Sequence, residues 1–297
     1  MRSPWRSLLV LMCACKAEIG GISASNLPDD STIDAGTLAP WSSPMLVDTA
    51  NTASNEDDGS LSASKLELVF AKADAAIDSG RKHLYYTSRS SVTATTWTAP
   101  VRLDFNVNGT SDETPRFAAG DKTLYFASSR TGTTGGLDIW QTTRPMVGVA
   151  TGWTTPTLVA NVNSTETDKW WLPCTGGRYL MVSARAPSTN DDIYEGTVGG
   201  GAPTRVAELS SSDAGDTGPF LGADCLTVYF ASTRSGANRI YKSTRTSVST
   251  PWSAPTLVTD FMNVGVAQED PWLSDDQRTF VFSATTTTNK DVYITTR

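Results

Sequence analysis

The stretch DKTLYFASSRTG at residues 121–132, followed by GLDIW at 136–140, decides the fold because its parts recur along the chain. The alternating apolar run that ends in Ser-x-Arg returns at 180–185 and 228–234, with weaker copies at 66–70 and 280–284. The segment around Asp-Ile-Trp returns in related form at 83–89, 192–196, 239–245 and 291–297. Self-similarity of this kind is typical of an array of supersecondary units.

Two further signatures belong to the same repeat. Trp-x-x-Pro occurs at 41–44, 97–100, 153–156 and 252–255, at intervals of 56, 56 and 99 residues. The last interval spans two units, and the copy between them is degenerate at 202–204. The other signature carries an acidic or amide residue before a proline, at 112–115, 216–219 and 268–271. Each unit therefore holds four short segments rich in aromatic and β-branched residues, which indicates strands.

These segments predict an all-β fold, a five-bladed β-propeller over residues 41–297 with four antiparallel strands in each blade. No apolar stripe of helical period interrupts the array, so we expect little helix. The final unit ends at its third strand, whereas a spare Trp-x-x-Pro strand stands at 41–44. We therefore expect the N-terminal strand to complete the last blade, because closure removes two exposed sheet edges.

The quoted repeat residues resemble the TolB-type, WD-like propeller repeats. The resemblance covers nearly all of 41–297 and implies the propeller fold and a place in the bacterial cell envelope. It implies no particular activity, because propellers host many functions.

The N-terminal residues resemble the export signal of bacterial lipoproteins. Arg2 and Arg6 precede a short apolar run at 8–12, and a small residue precedes Cys15. The resemblance makes residues 1–15 a signal peptide and Cys15 the lipidation site, with Cys13 as a second candidate and an ordinary secretion signal as the alternative. Residues 16–40 are polar and small, which predicts a flexible tether. The apolar run is too short to span a bilayer, so we expect a lipid anchor only.

The amino-acid composition limits the classes of ligand that the protein can bind. The net charge is −7, which argues against a nucleic-acid partner because phosphate binding needs a basic patch. His83 is the only histidine, so a multi-histidine metal site is excluded. No cofactor-binding motif is present, and we expect a monomer without metal or cofactor that binds an envelope protein or glycan.

Repeat alignment predicts a ring of charged side chains where the inner strands begin. The first column contains Glu56, Asp112, Asp168, Asp216 and Gln268, and the second contains Asp57, Glu113, Lys169, Thr217 and Glu269. The Ser-x-Arg residues Arg130, Arg185 and Arg234 belong to the same end of the channel. The unrepeated Trp170 and Trp272 flank inner strands. These side chains form the candidate ligand rim, although the acids could instead pair with the arginines as part of the fold.

Two function classes remain open from the sequence. A non-catalytic binding or scaffold propeller accounts for the repetition and for the missing catalytic motifs. A glycoside hydrolase is the alternative, since Asp112, Glu113, Asp168 and Glu269 offer paired carboxylates. No residue is assigned a catalytic role.

Cys174 and Cys225 align with the turns after the first strands of adjacent blades. In an exported protein they form a disulfide or remain as two buried thiols.

Overall fold

A computed structural model of the chain describes residues 38–297 except 74, 119, 189 and 288. The predicted signal peptide at 1–15, the lipidation site Cys15 and most of the predicted tether at 16–40 lie outside the described residues. Among the described residues, no helix is long and apolar enough to cross a membrane.

The described residues form twenty strands in five four-stranded antiparallel sheets, which confirms the predicted five-bladed propeller. The first strand in the chain is β1 (Met45–Leu46). Blade 1 contains β2 (Asn55–Leu61), β3 (Glu67–Ala73), β4 (Lys82–Ser88) and β5 (Val101–Arg102). Blade 2 contains β6 (Asp112–Ala118), β7 (Thr123–Ser128), β8 (Asp138–Thr143) and β9 (Thr157–Leu158). The one described helix is a single turn, α1 (Ala75–Asp78), between β3 and β4.

The other three blades repeat this plan. Blade 3 contains β10 (Asp168–Pro173), β11 (Arg178–Ser183), β12 (Asp192–Thr197) and β13 (Thr204–Arg205). Blade 4 contains β14 (Asp216–Leu221), β15 (Thr227–Ser235), β16 (Ala237–Thr244) and β17 (Thr256–Leu257). Blade 5 contains β18 (Ala267–Leu273), β19 (Thr279–Thr285), β20 (Lys290–Thr296) and, as its outer strand, β1.

Ring closure by the N-terminal strand is confirmed. Met45 pairs with Ile294 and Leu46 with Tyr293 in an antiparallel ladder. The Ser42 amide donates to the Thr296 carbonyl at 2.8 Å, and the Val47 amide donates to the Val292 carbonyl at 3.1 Å. The two ends of the propeller domain are thus joined by hydrogen bonds.

The outer strands are shorter than the sequence predicts. Each ladder begins just after the Trp-x-x-Pro signature, as in β5, which follows Pro100. Proline lacks the amide hydrogen that a continuous ladder needs. The tryptophan nevertheless anchors the segment, because an arginine from the preceding strand end stacks on its ring; Arg89 lies 4.8 Å from the Trp97 ring and Arg245 lies 4.1 Å from the Trp252 ring.

The inner strands β2, β6, β10, β14 and β18 line the central channel, and each contains a bulge at the same place. At the bulge, one residue adopts a left-handed backbone. It is the third residue of β6, β10 and β14, and the fourth residue of β2 and β18, which begin one position earlier in the repeat. These residues are Asp58, Thr114, Trp170, Gly218 and Asp270. Bulges re-aim side chains, so residues on either side of the bulge face different parts of the channel and blade.

The antiparallel strands define two faces of the ring. The entry face is the end where the inner strands begin; it carries the loops into the first and third strands of each blade. The far face is the other end, with the turns between first and second strands and the connections between third and fourth strands. Cys174 and Cys225 lie in two such turns and are joined in a disulfide between blades 3 and 4, with Cα atoms 5.5 Å apart.

Candidate functional site

The first column of predicted rim acids is buried inside the blades. Asp112, Asp168 and Asp216 have no exposed surface. Each pairs with the Ser-x-Arg arginine of its own blade, as listed by distance: Asp112–Arg130 at 2.7 Å, Asp168–Arg185 at 2.7 Å and Asp216–Arg234 at 2.6 Å. The arginine Nε also donates to the serine of the same motif, as Arg130 does to Ser128 at 2.9 Å. Because these carboxylates are sealed and paired, their predicted role in a ligand rim is wrong, and the alternative role in the fold accounts for them.

Blades 1 and 5 keep the column but change its chemistry. Glu56 accepts a hydrogen bond from the Thr52 amide at 3.0 Å and lies 3.6 Å from the Lys72 ammonium. Gln268 accepts from Arg239 at 3.1 Å. Every member of the column therefore has a partner within the described residues, and none is turned toward the channel mouth as a free ligand group.

The second column surrounds the channel mouth on the entry face. In three blades the second-column residue forms an ion pair with the residue that directly precedes the third-strand signature of the same blade. Asp57 binds Lys82 at 2.6 Å in blade 1, and Glu269 binds Lys290 at 2.5 Å in blade 5. In blade 3 the charges are exchanged, and Lys169 binds Asp191 at 3.2 Å. We call these residues, together with Glu113, Thr217 and Asn238, the entry cluster.

Glu113 is the loosely paired carboxylate of the entry cluster. Leu137 occupies the position that supplies a charged partner in blades 1, 3 and 5. The nearest ammonium is that of Lys82 from the neighbouring blade, at 3.9 Å. Burial raises the pKa of Glu113 above its ordinary value, although its side chain is still 19% exposed. Blade 4 contributes neutral groups, Thr217 and Asn238, and Asn238 donates to Glu269 at 2.8 Å.

Below the entry cluster, two bulge carboxylates lie inside the channel. The Asp58 amide is 3.3 Å from Asp270 Oδ2, and the Trp170 indole donates to Asp58 Oδ1 at 2.9 Å. The nearby cations Lys82, Arg116 and Lys290 hold the pKa of Asp58 below its ordinary value despite its burial. Burial and the Asp58 charge raise the pKa of Asp270 well above its ordinary value. The pKa values of the two carboxyls are therefore shifted in opposite directions, with the ionised form favoured at Asp58 and the protonated form at Asp270.

Trp170 and Trp272 do not share one rim. Trp170 is buried at the bulge, where the Lys169 ammonium lies 4.6 Å from its ring, so it stacks on no ligand at the surface. Trp272 lies at the opposite end of the channel, where it lines a cavity of about 390 Å³ with Leu172, Phe220 and other inner-strand residues. The prediction that grouped both with the rim acids is wrong, because Trp170 is itself a buried bulge residue whereas Trp272 follows the bulge of its strand and lies toward the far face.

Some residues of the entry cluster were not among the sequence candidates. Lys82, Lys290, Asp191 and Asn238 precede the third-strand signature by one position and carry no repeat signal of their own. The available signal was opposite charge at two positions of one blade: the residue before the third-strand signature and the second-column residue. This signal is visible only when the starts of the first and third strands are known to lie at the same face. The described residues contain no group of three or more potential metal ligands placed to hold an ion.

The buried acid Asp57 predicts a pH-dependent stability. Burial and the adjacent Asp58 charge raise the pKa of Asp57 from 3.8 to about 7. A carboxyl with a raised folded-state pKa binds more protons when folded, so its contribution to stability falls as pH rises toward and through 7. Between pH 6 and 8 we expect the free energy of unfolding to drop by about 1 kcal/mol through this group, or roughly 3 °C in melting temperature.

Thermal melts of wild type and Asp57→Asn across this pH range measure the effect. The variant should show the smaller decline with pH, whereas Asp213→Asn, at an exposed carboxylate on the entry face, should follow wild type. Parallel curves for wild type and Asp57→Asn would contradict a near-neutral pKa.

Comparison with known proteins gives the fold and leaves the activity open. No protein-family model and no curated sequence matches the chain. A solved structure described as TolB from Agrobacterium tumefaciens is similar at 15% identity and a TM-score of 0.50, over 82% of this chain and 76% of that one. TolB from Acinetobacter baumannii is similar at 13% identity and a TM-score of 0.53, over 84% of this chain but only 56% of that one. The fold is a TolB-like β-propeller.

Solved structures of enzymes are similar to the same degree. The endo-arabinase from Bacteroides thetaiotaomicron matches at 13% identity and a TM-score of 0.56, over 81% of this chain and 93% of that one. At such identities the likeness concerns the fold alone. The choice between a binding protein and a hydrolase therefore depends on the chemistry of the entry cluster.

Proposed function

We propose that this chain is a non-catalytic binding propeller of the bacterial cell envelope, which recognises a protein, peptide or glycan at the entry cluster. The observation that carries the proposal is the state of the channel mouth. Apart from the buried Asp57, its side chains are partly exposed and of both signs, with neutral donors and acceptors between them. Such a surface can exchange hydrogen bonds with a polar ligand without leaving a charge unpaired.

The ion pairs of the entry cluster argue against hydrolysis. A glycosidase needs two carboxyl groups that reach the scissile bond, one as acid and one as base or nucleophile. Here lysines hold Asp57 and Glu269, and the carboxylates below them, Asp58 and Asp270, are only 1% and 2% exposed. A substrate would have to displace these lysines before it met a second acid.

One observation favours the hydrolase as the second candidate. Glu113 has a raised pKa and Asp58 a lowered one, and such a separation is typical of an acid and a base in one site. Release of reducing sugar from arabinan or xylan by wild type, and its loss in Glu113→Gln, would establish the enzyme. No release from a broad glycan panel supports the binding protein.

The binding proposal is tested with the full chain carrying Cys15→Ser, which keeps it free of the proposed lipid. Immobilised protein is exposed to envelope extract and to a glycan array, and the retained species are quantified. We expect a species retained by wild type to fall at least tenfold with Glu113→Ala/Lys169→Ala. The matched control Glu166→Ala/Lys122→Ala removes the same residue types from exposed positions outside the cluster and should retain it fully. Equal retention by the two double variants, or none by wild type, would overturn the proposal.

Export, lipidation at Cys15 and a monomeric state belong to the same proposal. The support is the lipoprotein-like N-terminus and the closed ring, whose sheets leave only short outer strands at the edge. Incorporation of labelled fatty acid in cells, lost in Cys15→Ser but not in Cys13→Ser, would establish the anchor.

A further inference from the structure

The connecting loops of the two faces differ in net charge. In the loops of the entry face, eight acidic side chains and two basic ones are exposed or half-exposed among the described residues. The acids are Asp48, Asp78, Asp104, Glu166, Asp191, Glu208, Asp213 and Asp260, and the bases are Arg81 and Arg185. In the loops of the far face the balance reverses, with five bases and three acids. The bases are Lys65, Arg89, Lys122, Arg278 and Arg297, and the acids are Asp224, Asp275 and Asp276. The far-face loops therefore carry two more bases than acids, on a protein of net charge −7.

The outer connections of the far face contain no acidic residue. They are the segments 89–100, 144–156, 198–203 and 245–255, together with 39–44 where the chain enters blade 5. The three acids of this face lie instead in the central turns, and Asp276 is already paired with Lys65. The periphery of the far face is therefore free of negative charge.

The same connections present apolar tips to solvent. Val92, Met146, Val147, Val198 and Val248 are each at least 40% exposed, and Met146 is 63% exposed. They come from four different blades, and the segments that carry them are rich in small, uncharged Ser, Thr and Gly residues. Single exposed apolar residues are ordinary, but here they coincide with the acid-free periphery, while the exposed bases Lys122 and Arg278 lie in the central turns of the same face. Apolar tips beside basic side chains suit the interface of a membrane that carries anionic lipid.

The chain itself enters the propeller on this face. In blade 5 the third and outer strands come from distant parts of the sequence, and Arg297 stacks on Trp41 at 4.1 Å on this face. Residues 39–44 thus lie on the far face, at the opposite end of the ring from the entry cluster.

We propose that the far face docks on an anionic membrane surface, with the valine and methionine tips in the interface and the basic side chains on the lipid headgroups. This orientation directs the entry cluster away from the bilayer, toward soluble or wall-bound ligands. The inference is independent of the proposed function, since it uses other residues and needs no ligand.

Vesicle flotation of the full chain with Cys15→Ser tests the docking without a lipid anchor. The probes are phosphatidylcholine vesicles and vesicles with 30% phosphatidylglycerol, at low and physiological salt. We expect at least tenfold more bound protein on the anionic vesicles, and less at higher salt because the headgroup attraction is screened. Met146→Asp/Val248→Asp and Lys122→Glu/Arg278→Glu should each lower binding at least fivefold.

Matched controls lie on the opposite face. Val266→Asp and Arg81→Glu place the same changes at exposed positions of the entry face and should bind as wild type does. Circular dichroism checks that every variant is folded. Absence of binding to anionic vesicles, or an equal loss in the controls, would overturn the proposal. A different outcome would make the far face a protein-binding surface instead: no chain binds vesicles, and an acidic envelope protein that wild type retains is lost by the far-face variants.

Discussion

Asp112→Ala should lower the free energy of unfolding by about 3–5 kcal/mol, the cost of leaving a buried charge without its partner. Asp112 is fully buried and Arg130 nearly so, and the two are 2.7 Å apart. Removal of the carboxylate strands a guanidinium that also packs 4.9 Å from the Phe126 ring. For a domain of this size the loss corresponds to roughly 10 °C or more in melting temperature.

A double-mutant cycle separates this explanation from a simple cavity. Asp112→Ala/Arg130→Met removes the stranded charge and should regain part of the stability, so that the two substitutions are not additive. Asp275→Ala, at an exposed carboxylate in a far-face turn, should stay within about 0.5 kcal/mol of wild type. A single Asp112→Ala variant that melts like wild type would show that the repeated ion pair contributes nothing to the fold.

The fold was predictable because repetition shows itself in sequence. The Ser-x-Arg, Asp-Ile-Trp and Trp-x-x-Pro signatures mark three of the four strands in each blade, and the surplus strand at 41–44 predicts the closure. The strand ends were less predictable. Proline at the fourth position of Trp-x-x-Pro delays the outer ladder until β5 or its equivalent, which no count of apolar residues reveals.

The site was predictable only in part, and the reason is the bulge in every inner strand. Sequence alignment placed the two acid columns at the correct end of the channel, but alternation alone could not tell which faced the blade and which the mouth. Asp112 turns inward to Arg130, whereas Glu113 faces the channel entry. Trp272 follows the bulge and reaches the other end. Lys82 and Lys290, which neutralise the mouth, come from a different strand and carry no repeat signature.

The entry cluster and the far face make the two ends of the ring chemically different. Polar, mixed-sign groups surround one mouth of the channel, whereas the other end has acid-free outer loops with apolar tips and central turns that carry exposed bases. A ligand-binding mouth and a membrane-facing side can therefore coexist on one small ring. The two proposals fail separately, because Glu113 and Lys169 belong to one face while Lys122 and Met146 belong to the other.

The claim on which both faces depend is that residues 41–47 close the ring. This segment contributes β1, the buried Val47 and Trp41, whose ring centroid lies 5.7 Å from that of Phe280. Its removal would expose the whole edge of β20 and leave a large cavity beside Phe280. Truncation of a large, fully buried side chain costs about 3–5 kcal/mol, and deletion of 41–47 should cost at least as much because it removes the partly buried Trp41 together with the buried Val47 and the β1 ladder. Trp41→Ala offers a milder variant if the truncated chain does not fold.

The most direct measurement is the thermal unfolding of three chains compared with wild type: the deletion of 41–47, Trp41→Ala, and a deletion of 16–35 within the predicted tether. The closed ring predicts a fall of more than about 10 °C, or no cooperative transition, for the first, and a smaller fall for Trp41→Ala. It predicts an unchanged transition for the deletion of 16–35. If the deletions of 41–47 and 16–35 melted alike, the ring would not be closed by its N-terminal strand.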